Sequence, residues 1–526
     1  MTPDQNKQTG FDIVVIGGGI NGTGIVRDAA GRGYKVCLLE QGDLAQATSS
    51  ASTKLIHGGL RYLEHYAFRL VRESLQERAV LQGLAPHIIW PMRFILPHHK
   101  GLRPGWLIRL GLFIYDHLGG RRSVPASKPV RLKTHPAGAV LSDKFTTAFA
   151  YSDCWVEDSR LVVLNAVDAH QRGAEIRTRT KLVSARPDDK GWQLAVQTQD
   201  GQTQTLTTRL LVNAAGPWAV DVQHRTGFLE NQAFLRLIKG SHLILDRQLP
   251  SEDAFLLQNT DGRITFMIPY EGRFTLIGTT DVDLDISQLN EQLEISDDEI
   301  EYLLSTINSY LHTPVSRRDI VASYAGVRPL FDDGTGQAAK ANRDYHLKLE
   351  RCAGAPLLSV FGGKLTTYRR LAESAMMTIN SAFGETRPHW TATAPLPGGD
   401  FTCLDELLVQ LKEKISDISD EAALRLVRAY GTKLFSFTGT ASCMADLGEQ
   451  FGCGLSEAEL HYLMAHEYAL SAEDILKRRS KLYLHLSPAQ KDRLNSWLSA
   501  EQNKQPASQT LNQPAKTARQ RSEQNR

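Results

Sequence analysis

Residues 11 to 40 leave this chain few ways to fold. "FDIVVIGG" has strand character, "GGGINGTG" is a glycine turn, "TGIVRDAAGRG" reads as a helix and "YKVCLLE" as a second strand. A strand-helix-strand unit of this kind opens a parallel sheet. The turn spells Gly17-x-Gly19-x-x-Gly22, with Gly24 two places further on. The first glycine permits the tight turn, the second lets backbone approach a pyrophosphate, and the third lets the helix pack against the strand. Glu40 ends the second strand, where a carboxylate accepts hydrogen bonds from a ribose hydroxyl. A bare glycine fingerprint is weak, but strand, helix and acid in register predict a dinucleotide site.

The fingerprint itself leaves NAD and FAD open. Ser49 and Ser50 start a polar loop, "SSASTK", whose hydroxyls suit a pyrophosphate. Two later turns also follow strands: Gly216 in "LLVNAAGPW", and Gly362 and Gly363 in "SVFGGKLTTYRR". The last leads into a helix whose amides suit a flavin's pyrimidine end. Three such turns spread along the chain suit a long, extended cofactor such as FAD.

With 526 residues, two or three domains are expected. A net charge of +2 gives no global pull toward nucleic acid. Six cysteines without a C-x-x-C pair argue against a disulfide framework or thiolate metal site, and Cys37 reads as a small buried hydrophobe. The histidines lack ligand spacing, so no metal is expected. The polar start "MTPDQNKQTG" carries no hydrophobic targeting region, and no apolar run approaches the roughly 20 residues of a membrane span. An intracellular protein is expected.

"RITFMIPY" and "RFTLIGTTD", joined around Glu271-Gly272, read as an antiparallel hairpin. Past residue 390 the pattern turns helical. "SEAELHYLMAHEY" places Ser456 and Glu459 as a capping box, and "SAEDILKRR" repeats this with Ser471 and Asp474. Residues 501 to 526 have almost nothing to bury and read as disordered. No internal repeat is evident.

"SSASTKLIHGGLRYLEHY", "YSDCWVEDSRLV", "VNAAGPW", "LIKGSH", "IGTTD", "YAGVRPL" and "VFGGKLTTYR" follow the fingerprint in that order. Together they closely resemble the aerobic, FAD-dependent glycerol-3-phosphate dehydrogenases, from about residue 10 to 495. The resemblance implies an α/β, glutathione-reductase-like FAD-binding Rossmann domain, an antiparallel-sheet substrate domain and a C-terminal helical cap domain. It also implies FAD, sn-glycerol 3-phosphate as substrate, dihydroxyacetone phosphate as product, and membrane quinone as acceptor. The expected FAD-binding parts are residues 1–75, 151–220 and 326–388. Residues 76–150 are expected to form a substrate and membrane-facing segment, 221–325 the antiparallel sheet, and 389–500 the helical domain. A homodimer is carried as an expectation.

Oxidising a secondary alcohol requires a base for the hydroxyl proton while hydride leaves carbon. His57 suits this role, since an unperturbed imidazole titrates near 6.5 and Gly58-Gly59 give it room. The resemblance places this histidine at the flavin face. A phosphate dianion needs fixed cations, and arginine's fork grips its oxygens in pairs. Arg328 in "AGVRPL" and Arg343 in "ANRDY" are the expected grips, and Lys364 is expected to stabilise developing alkoxide or reduced-flavin charge. His242 and Thr366 are weaker expectations for contact with substrate and flavin.

Residues 93 to 133 hold nine Arg and Lys against one acid, Asp116, around "GWLIRLGLFIYDHL". Trp106 and Tyr115 suit a headgroup boundary, and flanking bases attract anionic lipid. A core helix beside a solvated basic loop is the alternative; because the resemblance implies membrane quinone, peripheral attachment to the inner face of the cytoplasmic membrane is expected, with "LKRRSKLYLHL" (476 to 486) adding to that surface. Three alternatives remain: an oxidase passing electrons to oxygen and releasing hydrogen peroxide, an amine or amino-acid oxidase, and a flavin-binding redox sensor without turnover.

Overall fold

The structure, a computed structural model, describes residues 9–99, 101–120, 123–227, 234–259, 261–290, 293–332 and 344–504. Arg343 and the tail beyond residue 504 lie outside the described residues. The first four positions of the expected disordered tail complete a helix, Pro488–Lys504.

The opening unit forms as read. Strand Thr9–Ile16 pairs in parallel with Val36–Leu39 on one side and with Thr203–Asn213 on the other. The helix Ile20–Gly31 starts three residues earlier than the quoted helical run, directly at the glycine turn. It is covered on nearly every face, against helices Asp158–Gln171 and Tyr368–Phe383. Small residues make that possible: a Cβ on Gly24 would lie 2.8 Å from the Tyr368 ring. Ala355–Phe361 extends the parallel sheet beside Thr203–Asn213, and Glu175–Arg177 flanks Val36–Leu39. Cys37 is fully buried within it.

A second, ten-stranded sheet carries the hairpin. Ile264–Tyr270 and Phe274–Gly278 pair antiparallel, and both Glu271 (φ 45°) and Gly272 (φ 78°) sit in the left-handed region. Alternation sorts this sheet's side chains to two faces. Leu243, Met267 and Ile277 meet helix Asp297–Asn308, whereas Phe94, Phe266 and Leu276 pack toward helix Gly105–Leu118. Helices after residue 403 build their own core around Leu426, Phe451, Leu460 and Leu494.

Two helix-capping expectations differ in outcome. Ser456 accepts from the Glu459 amide, but the Glu459 carboxylate turns instead to Arg425 and Tyr430 in the core. Ser471 and Asp474 do bond reciprocally, at 3.2 and 2.9 Å, and open a π-helical segment, Asp474–Arg479.

The hairpin turn meets the C-terminal domain through buried charge. Lys481 pairs with Glu157, and Glu271 lies beside both groups and 4.0 Å from His485. Burial, and after it the Glu157 carboxylate, push Glu271 up to about 8. Its ordinary value in the unfolded chain is 4.5, so the folded state holds the extra proton between these values. Stability therefore falls as pH rises from 4.5 toward 8 and levels above that. Glu271→Gln is expected to flatten this decline, measured as melting temperature against pH. An unchanged slope would contradict the assignment.

Candidate active site

One cavity of about 2300 Å³ runs from the glycine turn across to the second sheet. At its first end Gly17 has φ 112°, and a Cβ there would lie 2.5 Å from the Ala214 carbonyl oxygen. A Cβ on Gly22 would lie 1.9 Å from the Gly17 carbonyl oxygen. Both neighbours are backbone and cannot swing aside. Gly22→Ala is accordingly expected to yield a colourless protein on purification; a yellow variant would contradict this account of the turn.

Gly19 is the N-cap of the helix and contributes no side chain to its first turn. Ser49 Oγ accepts from the Ile20 amide at 3.0 Å, while Ser50 Oγ donates to the Ala47 carbonyl within its own turn. The Glu40 carboxylate accepts from the Gly18 amide at 2.6 Å and the Gly42 amide at 2.7 Å. Burial raises the Glu40 carboxyl, and these two amide bonds partly offset that.

The three turns meet across the cavity. Asn21 Nδ2 donates to the Gly362 carbonyl at 3.1 Å, joining sites 341 residues apart in sequence. Asn21 Oδ1 is buried without a partner among the described residues. Gly216, Gly362 and Gly363 all have left-handed φ and line the same space. These glycine cradles, the amide-held Glu40 and the unpartnered Asn21 oxygen fit an extended dinucleotide.

His57 follows strand Leu55–Ile56 of the second sheet and lines the same cavity as the glycine turns. Its amide donates to Thr366 Oγ1 at 3.3 Å, so the "HGG" and "GGKLTT" motifs touch. The Gly58 amide donates to the Tyr115 hydroxyl at 2.8 Å, and that hydroxyl donates to Asp153, which Arg78 pairs at 2.6 Å. A Cβ on Gly58 would lie 2.5 Å from Leu75 and 2.7 Å from the Tyr115 oxygen. The glycine pair thus admits the supports of the His57 backbone, a stricter reason than open space alone.

Lys364 lines the cavity with its Nζ 4.4 Å from the centre of the Tyr62 ring. Arg328 forms an ion pair with Asp281 and donates to Thr279 Oγ1 at 2.8 Å. Its guanidinium lies over Gly240, where a Cβ would fall 2.4 Å from Nη2. The strand Ile320–Asp332 that carries Arg328 is tied to the loop before His57, since Thr48 Oγ1 donates to the Val327 carbonyl at 2.7 Å.

The "KGSH" motif resolves into separate tasks. Lys239 and Ser241 bind the buried Glu299, and Gly240 makes room for Arg328. His242 stacks on Tyr324 at 4.7 Å and meets Thr53 Oγ1 at 2.9 Å. Burial, then Arg328 and Lys54, hold its imidazole well below the usual range, so it is neutral. Its Nδ1 has no partner among the described residues and the ring borders the cavity. The sequence reading passed over Arg61 and Tyr62, which line the cavity four and five places after His57. Their place within "HGGLRY" was the available signal. Among the described residues no His, Cys, Asp and Glu are grouped to hold a metal.

The surface expectations need two corrections. Tyr115 is not at a boundary: it is 2% exposed, because its hydroxyl is committed to Asp153 and Gly58. Nor does the 476–486 segment add a basic surface. Arg478, Arg479 and Lys481 are buried, paired with Asp43, Asp474 and Glu157.

Comparison with known proteins bears on this architecture. The family described as FAD dependent oxidoreductase matches residues 12–369, and the C-terminal domain of alpha-glycerophosphate oxidase matches residues 389–496. A glycerol-3-phosphate dehydrogenase of Pseudomonas aeruginosa is 49% identical, covering 96% of this chain and 98% of its own. A D-erythritol 1-phosphate dehydrogenase of Brucella abortus is 48% identical, covering 92% and 97%. The solved glycerol-3-phosphate dehydrogenase of Bacillus halodurans, complexed with FAD, superposes with a TM-score of 0.73 at 26% identity, over 94% of this chain and 91% of that one.

Fold and site thus define a flavin-dependent oxidoreductase. Within that class, the chain belongs to the FAD-dependent glycerol-3-phosphate dehydrogenase family.

Proposed function

We propose that this protein oxidises sn-glycerol 3-phosphate to dihydroxyacetone phosphate and passes the electrons to membrane quinone. The observation that carries the reading is that His57, Lys364 and Arg328 line the same cavity as the three glycine turns. FAD, when bound, supplies the two-electron acceptor for the substrate hydride. The turns at Gly17–Gly22, Gly216 and Gly362–Gly363 would hold it, with Glu40 available to a ribose hydroxyl. His57 takes the hydroxyl proton, its backbone fixed by Thr366 and by Tyr115 through Gly58. Lys364 stabilises the negative charge that develops on the substrate oxygen. Arg328 grips the phosphate, its fork oriented by Asp281 and Thr279. Neutral His242 offers the substrate a polar wall without competing for its charge. Arg343 stands as a second grip.

The substrate reading is tested by turnover with a short-chain quinone as acceptor. sn-Glycerol 3-phosphate is expected to support it and glycerol is not, since glycerol gives Arg328 nothing to hold. Faster turnover of D-erythritol 1-phosphate would move the assignment to the longer polyol phosphate.

Helix Gly105–Leu118 supports the reading of membrane attachment. No helix among the described residues is long and apolar enough to cross a bilayer. Yet Trp106 is 70%, Leu110 47% and Phe113 53% exposed, one stripe at helical spacing. Tyr66 and Phe68 are exposed as well, and the cavity reaches this region at Tyr66, Leu107 and Leu110. A site opening beside an apolar face favours a membrane-dissolved acceptor over oxygen. Replacing Trp106, Leu110 and Phe113 together by serine is expected to abolish sedimentation with anionic-lipid vesicles. Reduction of a water-soluble quinone should persist, and unchanged sedimentation would contradict this surface.

A further inference from the structure

The mechanism leaves the C-terminal domain without a task, although five of its residues, Glu473, Lys477, Arg478, Lys481 and Tyr483, line the cofactor cavity. Glu40 and Gly42 line the same cavity, and Arg478 bonds to Asp43, the residue after Gly42. The loop after Glu40 is the contact point. Asp43 is buried, and its carboxylate accepts from Arg478 Nε at 2.5 Å and from Arg479 Nη1 and Nη2 at 2.6 and 2.8 Å. Arg478 also donates to Asp474 at 2.5 Å, which pairs in turn with Arg179. Arg479 is fixed from behind by the Glu467 carbonyl at 2.6 Å.

The same loop orients the expected ribose acceptor. The Gly42 amide holds one Glu40 oxygen and the Gly18 amide the other. Asp43 and Gly42 are adjacent, so whatever fixes the Asp43 carboxylate also fixes the Gly42 amide. On the opposite side, the Arg179 amide donates to the Gly42 carbonyl at 2.9 Å and the Thr180 amide to the Glu40 carbonyl at 2.8 Å. The loop is thus held by the sheet on one flank and by two arginines of another domain on the other. A carboxylate removed from water needs such complete pairing, and losing one partner of a buried pair is costly.

We infer that the π-helical segment Asp474–Arg479 is a clamp for the adenosine half of the cofactor, with Arg478 and Arg479 positioning Glu40 through Asp43 and Gly42. The C-terminal domain is then part of the cofactor site and sets how tightly FAD is retained. This rests on the reading that Glu40 meets the ribose, and the test separates the two.

The test uses the full-length chain after removal of flavin, with dissociation constants measured for FAD, ADP and FMN. Asp43→Asn places an amide against two arginine donors while keeping the side chain's shape. It is expected to weaken FAD and ADP by about ten- to a hundredfold, the usual effect of spoiling a charge-assisted hydrogen bond, and to leave FMN unchanged. Should that variant not fold, Arg478→Gln is read in the same way, since it touches Asp43 from one side only. An unchanged FAD constant would overturn the clamp. So would equal losses for FAD, ADP and FMN with a lowered melting temperature, the result of general damage. Glu40→Gln serves as the control. If it leaves FAD binding intact while Asp43→Asn weakens FAD and ADP, the ribose reading fails and the positioning of Glu40 by Arg478 and Arg479 is overturned with it; if both variants weaken FAD and ADP and spare FMN, both readings hold.

Discussion

Replacing His57 with asparagine is expected to leave a yellow, folded protein that the substrate can scarcely reduce. His57 lines the same cavity as the glycine turns, and its backbone is fixed by Thr366 and by the Tyr115–Asp153–Arg78 chain through Gly58. Asparagine keeps polarity and much of the shape but accepts no proton near neutral pH. Loss of a general base costs about 10²- to 10⁴-fold, so flavin reduction by substrate should slow by that range. The backbone bonds to Thr366 and, through Gly58, to Tyr115 survive the substitution, so FAD should still bind. Rapid-mixing absorbance under anaerobic conditions reads the rate directly. The acid limb of its pH profile, which reports the base, should also vanish. A variant that reduces at the parent rate would remove His57 from the chemistry.

Arg328→Ala is the second large effect. The guanidinium lies over Gly240, donates to Thr279 and pairs with Asp281, so its fork is oriented before any phosphate arrives. Removing a charge-assisted partner costs about 1.5–3 kcal/mol, or roughly ten- to a hundredfold in kcat/KM. The variant also leaves Asp281 without its arginine and facing a dianion, which pushes the loss toward the upper end. Arg328→Lys is expected to recover little, because a point charge does not reproduce two parallel donors. The measurement is kcat/KM for sn-glycerol 3-phosphate. A value within threefold of the parent would assign the phosphate grip elsewhere.

What could be read from the sequence followed how local the signal was. The fingerprint was legible because its glycine spacing and its acid fall within thirty residues: Gly22 is demanded by the Gly17 carbonyl and Glu40 directly follows the very next strand, although Gly17 itself is crowded by the distant Ala214. The hairpin was equally local. Tyr115 and the 476–486 segment were misread because their partners are remote. Nothing near Tyr115 in sequence announces Asp153, and Arg478 and Arg479 are balanced by Asp43, 435 and 436 residues away. A charge run looks solvated until its counterions are located. The "HGG" glycines were read as giving His57 room, whereas Gly58 is hemmed in by Leu75 and Tyr115 and Gly59 by Tyr62, which spacing cannot reveal. Glu459 left its capping box for the same reason, drawn to Arg425 by a core that only the fold assembles.

The most direct test of the central claim is the visible spectrum of the purified protein without oxygen. Adding sn-glycerol 3-phosphate should bleach the oxidised-flavin band, and a short-chain quinone should then restore it within the time of turnover, whereas air restores it slowly. A band that substrate leaves untouched, with FAD bound, would contradict the proposed chemistry. Rapid restoration by air would assign the electrons to oxygen instead of quinone.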